Sequence, residues 1–476
     1  MGGLKKIILL ASLAILAFVI YFLVSKKVTS IDTLKRSVFE ATHDRDKVDE
    51  QEAFNIAYNA YLWGFVRVKS MLLQKKAIHP DYHDYAPINT FAISKELAKP
   101  GFTDFTPNSD TYYGLAWLDV SKGPIIIEIP EVSNKYWTVQ ATDASLNTFN
   151  YVGSRMGTTP GKWAYCKFDW NGTLPTGIQR IDCPTNQVFL QARNLVFPGN
   201  KEDEKAVYAL MMKYKLYPID SVAQYASIPK TETMVNPLNS NPDLRNLNFF
   251  KLLNETITFD PPVAVDKGLV STFAKLGIGP NLTFDEAKLS KSQKAGLEDG
   301  IMAAFRRIYD ELKFGGERKG GFNFRYDLGK YDFNYPIGSA VAFYGYGANT
   351  AEEAVYVNTI VDADGDDLIG SKKYKIHFGK DEFPPVNAFW SITMYSRPEN
   401  QLIENEINRY NIGGLTPNLK YNADGSLDIL IQHERPTDIS NWLPAPKGDF
   451  WLIMRMYDPK KEVLDNKYTA PTVDRQ

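Results

Sequence analysis

At Thr111 the hydrophobic repeat of this chain changes from a helical period to an alternating one, and that switch limits the fold more than any other feature. Upstream, Ala53, Ile56, Ala57, Ala60, Leu62, Trp63 and Val66 recur at three- and four-residue spacing, with Lys69, Lys75 and Lys76 further on. This spacing predicts a helix over Val48–Lys76, closed by Pro80 and Pro87. Downstream the period is two. Ile125, Ile127 and Ile129 share one strand face between Pro124 and Pro130. Trp137, Val139, Ala141 and Asp143 share a face of the next strand, leaving Tyr136, Thr138, Gln140 and Thr142 on the other. Strands around Tyr165 and over Val188–Ala192 complete a first β-rich unit.

From Glu202 to Lys313 the pattern is helical again. It ends in an amphipathic segment that sets Met302, Phe305 and Ile308 on one side and Arg306, Arg307 and Asp310 toward the other. The run Gly315-Gly316-Glu317-Arg318-Lys319-Gly320-Gly321 then breaks the chain. Strands return at Tyr374–Phe378, Ala388–Tyr395, Leu427–Gln432 and Phe450–Tyr457. In the last of these Arg455 falls on the face opposite Met454 and Met456. The expected organisation is a membrane anchor at 1–30, a helix with a first β unit at 31–200, a helical connection at 201–315 and a second β unit at 316–476.

Ile7 to Val24 form an uncharged apolar run with Lys5 and Lys6 before it and Lys26 and Lys27 after it. As a helix it spans roughly 27 Å, enough to cross a hydrocarbon core. The segment Val24-Ser25-Lys26-Lys27 offers no small-x-small cleavage site, so an uncleaved anchor is favoured over a signal peptide. The short head before the span places the bulk of the chain outside the cytoplasm or in a lumen. Asn171, Asn254 and Asn281 each open an Asn-x-Thr acceptor triplet for glycosylation. Cys166 and Cys183 flank a turn-rich stretch at 170–177. If that stretch closes a hairpin, the two sulfurs meet in a disulfide; otherwise they are two buried thiols.

The 54 basic and 56 acidic residues leave a formal charge of -2, too little field to collect nucleic acid. No familiar nucleophile, nucleotide-binding or zinc motif is present, and no cofactor or metal is expected. His79-Pro80-Asp81-Tyr82-His83-Asp84 is better read as a polar loop than as a metal site. Asp362-Ala363-Asp364-Gly365-Asp366-Asp367 has its glycine in the wrong place for a calcium loop and reads as an acidic hairpin turn. What remains is a polar cluster around Asn108, Asp110, Asp143 and Arg155. A buried carboxylate pair beside an arginine has split pKa values and suits acid/base chemistry, with Asp110 and Asp143 as acid and base and Arg155 as a clamp. That arrangement requires their strands to run antiparallel, so that Asp143 ends beside Asp110. The same residues can instead form an Asx-turn and a structural salt bridge.

Asn108-Ser109-Asp110-Thr111-Tyr112, Trp117-Leu118-Asp119, Asp143, Gly153-Ser154-Arg155 and Pro184-Thr185-Asn186 resemble domain-of-unknown-function family 1254. Residues 384–395, Asn408-Arg409-Tyr410, Asp424-Gly425-Ser426-Leu427 and 441–446 resemble its usual partner, family 1214. The resemblance implies an α+β protein. Its two jelly-roll-like β-sandwich domains have a helical segment between them, preceded here by one N-terminal transmembrane helix. It implies export but no reaction. One departure stands out: relatives often carry a His shortly after an Asn where this chain reads Asn89-Thr90-Phe91-Ala92.

Within these signatures Asn108, Thr111, Tyr112, Asn408, Arg409, Tyr410 and Trp442 are the candidate binding residues. The expected function is a membrane-anchored, extracytoplasmic binding or structural module for an envelope, glycan or capsid partner. The alternative is an extracytoplasmic hydrolase or lyase acting on a polar small molecule or saccharide. Oligomeric state is left open.

Overall fold

The computed structural model describes residues 45–476 apart from 102–105, 133–134, 159, 221–235, 237 and 240–241. The apolar run 7–24 and the polar stretch after it lie outside the described residues. Among the described residues no helix is long and apolar enough to cross a membrane. The fold is mixed α+β, with a helical part between two strand-rich regions.

The helix predicted upstream of the period switch runs over Arg45–Ala77. Its middle is buried on every side, because helices Asn248–Phe259, Lys267–Phe273, Lys291–Phe314 and Tyr335–Tyr344 surround it and Trp117 and Phe189 reach it from a β-sheet. Lys291–Phe314 starts at a capping box, in which Ser290 and Gln293 bond each other's backbone N–H groups. Its buried face is Leu297, Ile301, Ala304 and Ile308, whereas Met302 is 48% exposed, so the expected apolar side is rotated. Gly296 and Gly300 let this helix lie against Arg45–Ala77: a Cβ on Gly296 would fall 2.1 Å from the Glu50 carbonyl oxygen.

The first β unit stacks two sheets on a shared core of Tyr112, Leu118, Ile127, Val139, Leu190 and their neighbours. The larger sheet has strand order Ala92–Ile93, Thr111–Asp119, Gln187–Leu195, Trp137–Thr142, Thr148–Gly153. The smaller has order Ile178–Cys183, Gly161–Lys167, Ile125–Ile129, Lys215–Pro218. The unit therefore reaches past residue 200, to its last strand at Lys215–Pro218. Gly161–Lys167 and Ile178–Cys183 pair in parallel, which removes the expected hairpin. Cys166 packs with Ile126 and Ala164 on one face of that sheet and Cys183 in the core on the other, so no disulfide joins them. Both are buried free thiols whose pKa burial raises, Cys166 to about 11.

The second β unit repeats the plan around Val355, Ile376, Ile392, Ile429 and Met454. Its six-stranded sheet has order Glu317–Lys319, Phe322–Arg325, Ala354–Thr359, Phe450–Pro459, Val386–Ser396, Asn411–Gly413. The four-stranded sheet, Trp442–Pro444, Leu427–Gln432, Tyr374–Phe378, Asp474–Arg475, covers its inner face. The glycine run at 315–321 makes a tight hairpin, and the chain returns once more to the helical part through Tyr335–Tyr344 before the main strands begin.

The two larger sheets also meet, by their outer faces. Tyr136 and Leu195 of the first unit pack with Ala354, Phe389 and Tyr457 of the second. Alternation explains which side chains meet there, since residues pointing away from each core point toward the other unit.

Candidate functional site

The turn before Thr111–Asp119 is built by one side chain. Asn108 Oδ1 accepts the backbone N–H groups of Asp110 and Thr111 and the Thr111 hydroxyl, each at 3.0 Å. Its own amide donates to the Tyr457 hydroxyl, and its backbone N–H donates to the Tyr113 hydroxyl at 3.1 Å. Asp110 then points into the second unit. The Ser391 hydroxyl donates to its Oδ2 at 2.6 Å and Asn411 Nδ2 to its Oδ1 at 2.8 Å. Burial pushes its pKa up to about 6, against the hydrogen bond from Ser391 and the positive charge of Arg455.

Beyond this turn the sheets part around a half-open cavity of about 910 Å³, which Tyr309, Ala340, Val341 and Tyr344 of the helical part also line. Tyr113, Gln191 and Arg193 of the first unit and Tyr356, Arg455 and Tyr457 of the second line its polar end. Arg193 donates to Gln140 Oε1, Gln191 Oε1, Asn349 Oδ1 and the Gly347 carbonyl at 2.7–3.0 Å. Arg455 donates to the Thr393 hydroxyl, the Tyr395 hydroxyl and the Thr106 carbonyl at 2.9–3.0 Å. Both arginines are 3% exposed. Neither lies within ion-pair distance of a carboxylate among the described residues.

The three residues expected to act together do not converge. Gln187–Leu195 lies between Thr111–Asp119 and Trp137–Thr142 and is antiparallel to both, so those two strands run parallel. Asp110 bonds Val196 at one end, and Asp143 follows Thr142, which pairs with Phe189 near the other, roughly 25 Å along the strand. Asp143 caps a turn there, accepting the N–H groups of Ser145 and Asn147 at 2.8 and 2.9 Å. Burial raises its pKa, while the charge of Arg67 opposes the rise. Arg155 is at the Asp110 end but pairs with Glu353 at 2.6 Å, whose other oxygen accepts the Tyr136 hydroxyl at 2.6 Å. Asp110, Asp143 and Arg155 all stand outside the cavity lining.

The other expected site residues divide in the same way. Thr111 is buried in the Asn108 turn, and Tyr112 faces the first core, edge-on to Tyr208. Arg409 donates to the carbonyls of Ile439, Ser440 and Trp442, and buried Trp442 donates to the Gln432 carbonyl. These two tie loops of the second unit together. Tyr410 donates to exposed Asn408 beside them, at 3.2 Å. Of the glycosylation candidates, Asn171 and Asn281 are exposed. Asn254 is not available to a glycan: it is buried in a helix, donates to the Gly277 and Leu282 carbonyls and accepts the Gly279 N–H. Asn89, where the family resemblance marked a departure, is itself a turn residue with φ 60 whose Oδ1 accepts the Asp119 N–H.

Among the described residues no group of three or more His, Cys, Asp and Glu side chains is placed to hold a metal ion. In the acidic turn at 362–367 the partner is a cation of the chain itself, Arg475, which bonds Asp362 and Asp366 at 2.6 and 2.7 Å.

Fold and cavity define a protein of two paired-sheet units and a helical part, with a half-open pocket where the three meet. The chain carries two domains of unknown function: residues 88–218 match the model described as Protein of unknown function (DUF1254), and residues 353–461 match Protein of unknown function (DUF1214). No curated protein matches the sequence. Among solved structures, the VPA0106 protein from Vibrio parahaemolyticus is similar in fold, with a TM-score of 0.66 at 23% identity over 89% of this chain and 100% of its own. A putative uncharacterized protein from Burkholderia cenocepacia overlaps at a TM-score of 0.44 and 10% identity, over 90% of this chain and 96% of its own.

Proposed function

We propose that this chain is a small-ligand-binding module, held at a membrane by the apolar run 7–24 with its bulk outside the cytoplasm. On this reading the two β units are jelly-roll-type sandwiches, and their junction is the ligand site. The observation that carries it is the cavity of about 910 Å³ between them, a size that suits a small organic molecule. A small envelope component or the end of a glycan fits such a site, whereas a capsid protein needs an extended surface. The alternative of a hydrolase or lyase loses support because Asp110 and Asp143 are far apart and neither borders the cavity.

Gly345 lines the cavity, and a Cβ there meets nothing closer than Val341 at 3.8 Å. Gly345→Trp is therefore expected to fill the space without breaking the fold. The test is native mass spectrometry of the full-length protein in detergent, after exposure to an envelope extract. A bound small molecule should appear on the unmodified protein and be missing from the Gly345→Trp variant. Equal retention by both, or no retained molecule at all, would refute the reading.

A further inference from the structure

Five arginines line the cavity, Arg193, Arg318, Arg325, Arg397 and Arg455, and no Asp or Glu is among the described residues that do. In a chain with slightly more acidic than basic residues, that imbalance is local. Arg325 is matched from outside the lining by Asp327 and Glu311, and Arg397 more loosely by Asp367 at 3.5 Å. Arg193, Arg318 and Arg455 have no carboxylate at ion-pair distance among the described residues. A guanidinium has five N–H donors. Arg193 makes four hydrogen bonds and Arg455 three, so each has donor capacity left.

Three tyrosine hydroxyls at the same end add to it. Those of Tyr113 and Tyr457 accept from Asn108, and that of Tyr356 accepts twice from Asn349. Each therefore retains its own O–H as a donor, with no acceptor among the described residues. Burying two guanidinium groups without carboxylates is costly unless something else supplies the negative charge. Beside this polar group the lining is apolar, with Ala340, Val341 and Tyr344 from a helix and Trp451 and Ile453 from the same strand face as Arg455.

We propose that the cavity binds an organic oxyanion, a carboxylate or phosphate carried on an apolar or aromatic body, with Arg193, Arg455 and the three tyrosine hydroxyls holding the anionic group. This rests on the cavity being the ligand site and names the class of ligand it takes. Charge-assisted hydrogen bonds from arginine to such groups are about twice as strong as neutral ones. The apolar walls take the body of the ligand, and exposed Arg318 at the hairpin steers the anion inward.

The test is calorimetric titration of the full-length protein with three probes of one shape: 2-naphthoate, 2-naphthyl phosphate and uncharged 2-naphthamide. At least one anion is expected to bind ten-fold or more tightly than the amide, and to weaken as salt rises from 50 to 500 mM. Which anion binds tighter separates a carboxylate from a phosphate ligand. Arg455→Met should lower the anion's affinity ten-fold or more and leave the amide unchanged. Because Arg455 also ties Thr106 to the second unit, the double variant Arg318→Ala/Arg397→Ala provides a readout at side chains that are not core, with a several-fold loss expected. Equal binding of amide and anions would overturn the ligand class while leaving the cavity as a binding site. Binding of none of the three would overturn both, and unchanged anion affinity in the arginine variants would overturn the assignment of the clamp.

Discussion

Ser391 donates its hydroxyl to the buried carboxylate of Asp110 at 2.6 Å, joining residues 281 positions apart and with them the two β units. The bond is made in a setting that raises the acid's pKa from 3.8 to about 6, through burial first. A carboxyl that holds its proton more tightly folded than unfolded stabilises the fold below the unfolded value, and that contribution is lost as pH rises through the folded one. The window is thus pH 4 to 6, and the loss is on the order of 3 kcal/mol at most. Asp260, also raised to about 6 by burial, acts in the same direction. Urea unfolding at pH 4 and pH 7.5 should show Asp110→Asn flattening this part of the pH dependence, since the amide keeps an acceptor for Ser391. An unaltered slope would show that folding leaves the proton affinity of Asp110 unchanged.

Arg67 holds together the other end of the first sheet. It is 1% exposed on the central helix, lies over the Trp63 ring at 4.8 Å and sits 3.8 Å from Asp266. It also donates to the Asp260 carbonyl at 3.5 Å, and its charge lowers the pKa of both Asp143 and Asp260. Removing one member of a buried charged group costs about 3–5 kcal/mol, because the others are left uncompensated. Arg67→Met is expected to lose that much stability at pH 7.5. The loss should shrink toward pH 4.5, below the value of about 6 to which burial raises Asp260, where that carboxylate takes up a proton. Denaturant midpoints at the two pH values check both the size and the direction.

Local structure was legible in the residues, and the meeting of distant segments was not. Alternation in Phe450–Tyr457 places Arg455 opposite the methionines, and it does turn away from the core that Met454 and Met456 enter; the cavity it lines is not legible in that pattern. Asn108 and Asp110 suggested an Asx-turn, and Asn108 makes one. The order of strands is set by packing between segments far apart in the chain, so nothing near Asp143 reveals that Gln187–Leu195 inserts between it and Asp110. Arg155 likewise carries no mark of its partner Glu353, which lies in the other unit. Arg193 did leave a signal, a charged residue inside the otherwise uncharged strand Gln187–Leu195. Read with the outward faces of both large sheets, it would have pointed to the junction.

Gly300 tests how closely the two long helices depend on each other. In an exposed helix Gly→Ala gains about 1 kcal/mol from backbone propensity alone. Here a Cβ would come 2.5 Å from the Phe54 carbonyl oxygen and 2.7 Å from the Ala57 methyl, and backbone cannot rotate aside. Relief requires the helices to separate, and forced expansion of a packed core costs about 1–3 kcal/mol. The opposed terms leave Gly300→Ala destabilising. Gly268 is the control: it is helical, and a Cβ there meets nothing within 4 Å. Gly268→Ala should therefore stabilise by a few tenths of a kcal/mol up to about 1. Thermal melts of the two variants should move in opposite directions. A rise in both would show that the Gly300 contact yields easily and that the helices are not held at the separation their small residues allow.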